Sequence, residues 1–109
     1  MIDEQEFKRK ADDALTTLNR ELIAASDDYG FEVDFNAGAL SIEFEDPPAK
    51  FVISPNAPVR QIWVSANSKS YKLDWDVVEN SFVHAESGDS LKTLIEKAVG
   101  KHLREEVNL

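Results

Sequence analysis

Acidic side chains are the residues of this sequence whose types and spacing could support chemistry. Those between Asp27 and Asp34 are predicted to converge where an N-terminal helix is followed by the first strand. Carboxylate oxygens are hard ligands that suit hard metal cations, and an open surface cluster would hold such a cation weakly. A solvated acidic face that binds no metal is the alternative interpretation. The candidate metal ligands are Asp12, Asp13, Glu21, Asp27, Asp28, Glu32 and Asp34.

Other kinds of reactive site find little support in the sequence. It contains no cysteine, which excludes disulfides, thiolate metal sites and cysteine nucleophiles. No Gly-rich phosphate loop, G-x-S-x-G elbow or H-E-x-x-H motif is present. His84 is expected to be a surface or half-buried strand residue, and His102 lies in the last turn of a predicted helix, where a cation suits the dipole. No nucleophile, base and orienting group can be assembled, which argues against a buried active site.

The net charge of −9 is concentrated in the first two-fifths of the chain. Residues 1–46 contain thirteen Asp and Glu against four Lys and Arg, whereas residues 47–109 contain eight of each kind. Such a field repels nucleic acid and anionic lipid and attracts basic protein surfaces or metal cations. We therefore expect no nucleic acid and no membrane as partners. The alternative is that the acidic side chains only keep a small protein in solution.

A tryptophan in the stretch 58–76 lies where a polar residue would be usual. Alternation places Ile62 and Val64 on one face of a strand, and Trp63 on the other face beside Gln61 and Ser65. If the aliphatic residues face the core, the indole points away from it. Trp is enriched at the energetic centres of interfaces, which favours an anchor for a partner protein. Packing under a loop or a neighbouring side chain is the alternative.

Two amphipathic helices are predicted at the ends of the chain. The first covers residues 3–25, ends near residues 26–28 and is followed by a break at Gly30. The second runs from about residue 90 to residue 104, and Gly100 weakens it without having to break it. Residues 105–109 are predicted to be a tail.

Five or six consecutive antiparallel strands are predicted between the helices. Clean alternation and a tight turn at residues 37–38 indicate a first hairpin, and another surrounds residues 67–70. The prolines of residues 46–48 cannot continue a central strand, so a loop is expected there. The predicted strands cover residues 31–36, residues 39–45, a short stretch around Phe51 and Ile53 closed by Pro55 and Pro58, the two arms of residues 58–76, and residues 81–86.

This order predicts a single α+β domain over residues 1–109, a two-layer sandwich with both terminal helices on one face of a five- to six-stranded antiparallel sheet. The other face of the sheet stays open. An open face that combines charge with an exposed aromatic side chain is a plausible docking surface. Its predicted residues are Glu32, Asp34, Ser41, Glu43, Gln61, Trp63, Ser65, Lys72 and Asp74.

Several segments together resemble the frataxin family, including its bacterial CyaY-type members, over nearly the whole chain. Residues 61–65, QIWVS, are similar to the family's Q-[IV]-W-[LV]-[SA] strand, and Asp74-Trp75 is similar to the D-W that follows in mitochondrial members. Residues 36–40, NAGAL, resemble the G-[VA]-L hairpin turn. Residues 87–95 look like the lead into the family's last helix. The combination in this order is specific, whereas each segment alone is not.

The resemblance implies a regulator of iron–sulfur cluster assembly and iron homeostasis. It implies weak binding of ferrous or ferric iron at surface carboxylates and docking on a cysteine desulfurase and its scaffold protein. It assigns Trp63 and Gln61 to the sheet contact, and Asp12, Asp13, Asp27, Glu32 and Asp34 to an acidic ridge. With the open face, the expected partner-binding residues are Gln61, Glu43, Trp63, Lys72 and Asp74.

The sequence departs from the family pattern at several positions. Arg20, Ile23 and Ala24 lie on the first helix where many members have carboxylates. Ser54 and Val59 replace asparagines that are common before the tryptophan strand in mitochondrial members. These departures bear on the metal stoichiometry and on the strength of partner binding.

Two other functions stay open at this point. One is a ferroxidase or iron-storage activity at the surface carboxylates, and the other is an unrelated acidic module that binds a basic protein. A monomer is expected, and iron-driven oligomerisation stays open. The start at Met1 favours a bacterial cytoplasmic protein, although a mature mitochondrial matrix form without its presequence would look the same.

Overall fold

The computed structural model describes residues 2–45 and 47–109. In chain order the elements are α1 (Glu4–Tyr29), β1 (Phe31–Asn36), β2 (Ala39–Glu45), β3 (Pro48–Asn56), a short 3-10 helix (Ala57–Val59), β4 (Gln61–Ala66), β5 (Lys69–Asp76), β6 (Ser81–His84) and α2 (Leu91–Leu103). The strands form one antiparallel sheet in the order β1-β2-β3-β4-β5-β6. Both helices cover one face of it, which confirms the predicted α+β sandwich.

Helix α1 has a defined cap at each end. The side chain of Asp3 accepts a hydrogen bond from the backbone N–H of Glu6 at 2.8 Å, which satisfies one of the free donors of the first turn. Gly30 adopts φ 71° and donates its N–H to the carbonyl of Ser26 at 2.8 Å. The predicted break at Gly30 is confirmed, and the helix ends at Tyr29, one residue beyond the predicted residues 26–28. Because the left-handed glycine ends the helix, Asp27 and Asp28 lie in its last turn.

Strand β3 is longer than predicted and includes both of its prolines. Pro48 is its first residue and pairs with Glu45, so the loop predicted through residue 48 is wrong at this position; Asp46 lies outside the described residues. Proline is tolerated at the first residue of a strand because it interrupts little of the ladder. Pro55 pairs with Ile62 next to the strand's last residue, so it does not close the strand.

Two-residue tight turns join β1 to β2 and β4 to β5. Ala37 and Gly38 both have positive φ between β1 and β2, as predicted for a tight turn. Between β4 and β5 the turn is only Asn67–Ser68, with φ of 52° and 63°, as in the type I′ turns that suit the twist of a hairpin. The predicted four-residue turn is therefore too long. Strand β6 likewise ends at His84 rather than at residue 86.

Helix α2 begins after Ser90, whose hydroxyl accepts the N–H of Thr93, and ends at Leu103. This agrees with the predicted bounds. The tail prediction is wrong, because residues 105–109 fold back on the helices. Val107 is buried, and the N–H of Leu109 donates to a carboxylate oxygen of Glu96 at 2.7 Å.

One core lies between the helical layer and the inner face of the sheet. Strand residues alternate between this core and the open face, since successive side chains point to opposite sides of a strand. Aromatic rings meet edge to face within it, for example Phe7 with Phe82 at 5.8 Å between centroids. Its largest fully buried side chains are Phe7, Phe51, Phe82, Leu15, Leu22, Leu40, Ile42, Ile53, Ile62, Leu73, Ile95 and Val64.

Candidate docking face and acidic ridge

The open face is the side of the sheet that carries the alternate residues pointing away from both helices. Trp63 lies near its middle, opposite Ser54 of β3 and Lys72 of β5. Its neighbours on β4, Ile62 and Val64, are buried. The predicted orientation of the tryptophan is therefore confirmed. It is 39% exposed, so the rest of its surface packs against the sheet.

A chain of hydrogen bonds orients the indole. Its N–H donates to Oε1 of Gln61 at 2.9 Å, and the side-chain amide of Gln61 donates to Oδ1 of Asp74 at 3.2 Å. Gln61 lies two residues before Trp63 on the same face, and Asp74 is the cross-strand partner of Gln61. These hydrogen bonds give the indole N–H a partner within the protein.

A basic side chain lies over the indole from the next strand. The ammonium of Lys72 is 5.1 Å from the centroid of the Trp63 ring, within cation–π range. Beside the ring is a shallow depression of about 440 Å³, lined also by Val52, Ser65 and Tyr71. The face therefore presents a fixed aromatic surface with one cation next to it.

Toward β1 the open face is acidic. Glu32 of β1 lies directly opposite Glu43 of β2, and like charges in this position repel each other. Lys50 of β3 offsets part of this charge, since its ammonium lies 3.8 Å from Glu43. Asp34 pairs with Ser41 and is exposed. The sheet thus changes from acidic at its β1 edge to aromatic near its middle.

The seven candidate metal ligands, which are the five residues of the acidic ridge together with Glu21 and Asp28, do not form one cluster. Asp12 and Asp13 are neighbours in sequence but line different clefts on the two flanks of α1. Asp12 borders a cleft with Gly38 and Pro55, and Asp13 borders a groove with Trp75. Successive helical residues point about 100° apart, which explains this separation.

Glu21 is engaged by the second helix instead of pointing toward β1. One of its carboxylate oxygens is 2.8 Å from the ammonium of Lys92 near the start of α2. The hydrogen bond and charge of Glu21 raise the pKa of Lys92 above its ordinary value. A metal ion at Glu21 would have to compete with this ion pair.

The donor set fits loose binding of a hard cation better than a formed metal site. Within residues 2–45 and 47–109, no group of three or more Asp, Glu or His side chains is placed to hold a metal ion. Asp27, Asp28, Glu32 and Asp34 are all exposed. Exposed carboxylates without a shared geometry bind cations chiefly by charge. The ridge therefore stays a prediction as an iron-binding surface.

The histidines make local contacts. His84 is half-buried, as predicted, and its Nδ1 is 2.9 Å from the hydroxyl of Ser87. His102 has its Nε2 2.8 Å from the carbonyl oxygen of Pro47, so this nitrogen carries the proton and donates it. The ring of His102 also packs 4.4 Å from that of Phe44.

The groove beside Asp13 was not anticipated from the sequence. It has a volume of about 470 Å³ and runs between α1, the start of α2 and the β5–β6 side of the sheet. Lys10 lies 4.4 Å above the ring of Trp75 at its wall. The placement of Trp75 on the face of Leu73 was predicted, but its contact with Lys10 depends on how α1 crosses the sheet.

Comparison with known proteins identifies the family. A sequence model described as the frataxin-like domain matches residues 1–105. The chain belongs to the frataxin-like family. This confirms the resemblance carried by the tryptophan strand and the order of elements.

Two relatives share about three-tenths of their residues with this chain. An iron–sulfur cluster assembly protein CyaY of Azotobacter vinelandii is 29% identical over 89 residues, which span 82% of this chain and 80% of the relative. A protein of the same name from Pseudomonas aeruginosa is 30% identical over 88 residues, which span 79% of this chain and 81% of the relative.

A solved structure shows the same fold. A frataxin from Psychromonas ingrahamii superposes with a TM-score of 0.83 at 22% identity, covering 98% of this chain and 97% of the other. In the described part of this chain, neither helix has the length and apolar character needed to cross a membrane.

Proposed function

We propose that this frataxin-like chain regulates iron–sulfur cluster assembly by docking on a cysteine desulfurase and its scaffold protein. The observation that carries the proposal is Trp63, held at the surface of the open face by Gln61 and Asp74 in a chain whose relatives are named as cluster assembly proteins. The bacterial relatives favour the cytoplasm as its location.

The geometry around Trp63 favours binding to another protein. An aromatic side chain that is already fixed in one orientation loses little conformational entropy when a partner covers it. Large aromatic residues also contribute much of the binding energy in protein interfaces. We therefore assign Trp63, Gln61 and Asp74 to the contact, with Lys72 beside them.

The acidic ridge and Glu43 would guide the approach of a basic partner. Opposite charges accelerate association and fix orientation, and salt weakens this effect. The excess negative charge of residues 1–46 supports this role, because β1 and β2 carry part of it on the open face. Binding to the desulfurase should therefore weaken as ionic strength rises.

Iron enters the proposal as a weakly held cargo of the acidic ridge. Exposed carboxylates such as Glu32 and Asp34 suit ferrous iron by hardness and charge. Because no geometry selects one metal, Mn²⁺ should compete with iron at similar concentrations. Paramagnetic broadening of amide signals by Mn²⁺ would test this, and broadening confined to residues outside the ridge would contradict it.

The function is tested by reconstituting cluster assembly from purified desulfurase and scaffold. We expect wild-type protein to bind the complex and change the rate of cluster formation, and Trp63→Ala to lose most of this effect. A thermal melt of the variant establishes that it is folded. Lys101→Ala, an exposed change on α2, serves as the control. If wild type neither binds the complex nor changes its rate, the proposal is wrong.

A further inference from the structure

The turn between β5 and β6 exposes two adjacent valines. Val77 and Val78 are 76% and 88% exposed, more than any other large hydrophobic residue in the described part of the chain. Turns usually carry Gly, Pro, Asn, Asp or Ser at such positions, because these residues suit the backbone and water. Residues so exposed contribute little to the core, so core packing does not account for them.

Hydrogen bonds hold this turn in one shape. Oδ1 of Asp76 accepts the backbone N–H of Val78 at 2.9 Å and that of Glu79 at 3.1 Å. Asn80 completes the turn with a left-handed φ of 54°. β-branched side chains also have few rotamers. The two valines are therefore presented as a fixed apolar tip.

The tip adjoins the end of the open face that carries the tryptophan network. Asp74 pairs with Gln61, and Val77 follows Asp74 by three residues, or about 10 Å along the strand. Val59, which is 46% exposed, precedes Gln61 by two residues. A protein that covers Trp63 would reach this end of the sheet with little additional surface.

Charge indicates which kind of partner the tip suits. Asp74, Asp76 and Glu79 lie within three residues of the valines along the chain, so a second copy of this chain that docked here through the same turn would place carboxylates against carboxylates. The net charge of −9 adds to this repulsion. A partner with an apolar pocket edged by Lys or Arg satisfies both the valines and the acidic side chains.

We infer that Val77 and Val78 insert into an apolar, basic-edged pocket of the same protein assembly that docks on the open face. The inference rests on the proposed function and adds a second contact to it. Trp63 supplies the contact on the sheet, and the valine tip supplies one at the end of the sheet. Two contacts about one strand length apart fix orientation better than either contact alone.

The test replaces both valines by threonine, which keeps the shape and β-branching but has a hydroxyl in place of one methyl group of each valine. The dissociation constant for the desulfurase–scaffold complex is measured by calorimetry for wild type, Val77→Thr/Val78→Thr and Trp63→Ala. Ala85→Ser, an exposed change just after the other end of β6, is the matched control. Thermal melts establish that each variant is folded, and the double threonine variant should have the same Tm as wild type.

We expect the double threonine variant to bind about tenfold more weakly, since buried hydroxyls without partners are unfavourable, and the control to bind like wild type. If the double variant binds like wild type while Trp63→Ala binds weakly, the inference is wrong and the proposed function stands. If wild type does not bind the complex, both are wrong. If sedimentation shows a wild-type dimer that the threonines dissociate, the tip is a self-contact and the inference is overturned.

Discussion

Replacing Gly100 by alanine sets two effects of opposite sign against each other. Alanine favours a helix over glycine by about 1 kcal/mol, so propensity alone predicts a more stable protein. An added Cβ would, however, lie 2.8 Å from the backbone oxygen of Glu105 and 3.8 Å from the backbone nitrogen of Val107. Because the first contact is with backbone rather than with a flexible side chain, the returning tail would have to move.

The tail makes enough contacts to decide the sign. Val107 is only 6% exposed, and burying a valine side chain is worth about 1.5–2 kcal/mol. The 2.7 Å hydrogen bond from Leu109 to the carboxylate of Glu96 adds about 1 kcal/mol. If the tail loses most of these contacts, the loss exceeds the gain in helix propensity. We expect Gly100→Ala to lower the free energy of unfolding by about 1–2 kcal/mol.

Urea denaturation and thermal melting measure this effect. The expected loss corresponds to a decrease of about 5–10 °C in Tm for a domain of this size. Val107→Ala and the double variant complete a cycle, and the cost of Gly100→Ala should be smaller when Val107 is already absent. Lys101→Ala changes an exposed residue of the same turn and should have little effect. A Gly100→Ala variant at least as stable as wild type would show that the tail accommodates the added Cβ without losing its contacts.

Two further predictions concern the open face and the helix pair. Asp74→Ala removes the hydrogen-bond acceptor of the Gln61 side chain and should therefore shift the indole N–H resonance of Trp63. The free energy of unfolding should fall by less than about 1 kcal/mol, because these hydrogen bonds are exposed. An unchanged indole resonance would contradict this prediction. Glu21 raises the pKa of Lys92 in the folded protein. The ion pair therefore contributes its full stabilisation at pH values below the ordinary pKa of lysine, and this contribution is lost as the pH rises through the raised pKa of Lys92. Lys92→Met should therefore lose less stability than wild type above about pH 10.4 in denaturation curves, and equal losses would show that the pair does not contribute.

Local patterns in the sequence were sufficient to predict the layers and the orientation of Trp63. Strand alternation depends only on neighbouring residues, so two aliphatic residues on the core-facing side, Ile62 and Val64, place Trp63 on the opposite face. The helix stripes were equally local. Confirmed features of this kind include the six-strand sheet, both helices and the exposed indole.

The missed features depend on contacts between distant segments. The tail returns because Val107 reaches the core past Gly100, which no pattern in residues 105–109 indicates. The pair of Glu21 and Lys92 joins residues far apart in sequence. The separation of Asp12 from Asp13, by contrast, follows from helical periodicity and could have been predicted. The hydrogen bond between Gln61 and Trp63 could also have been predicted, because residues two apart lie on the same face of a strand.

We propose that the open face and the acidic ridge dock together on the desulfurase complex. An NMR titration of labelled protein with unlabelled complex tests this most directly. We expect the indole N–H signal of Trp63 and the amide signals of β1 to shift or broaden together, while the amide signals of residues 101–109 keep their positions. Changes confined to α2 and residues 105–109, with Trp63 unaffected, would contradict it.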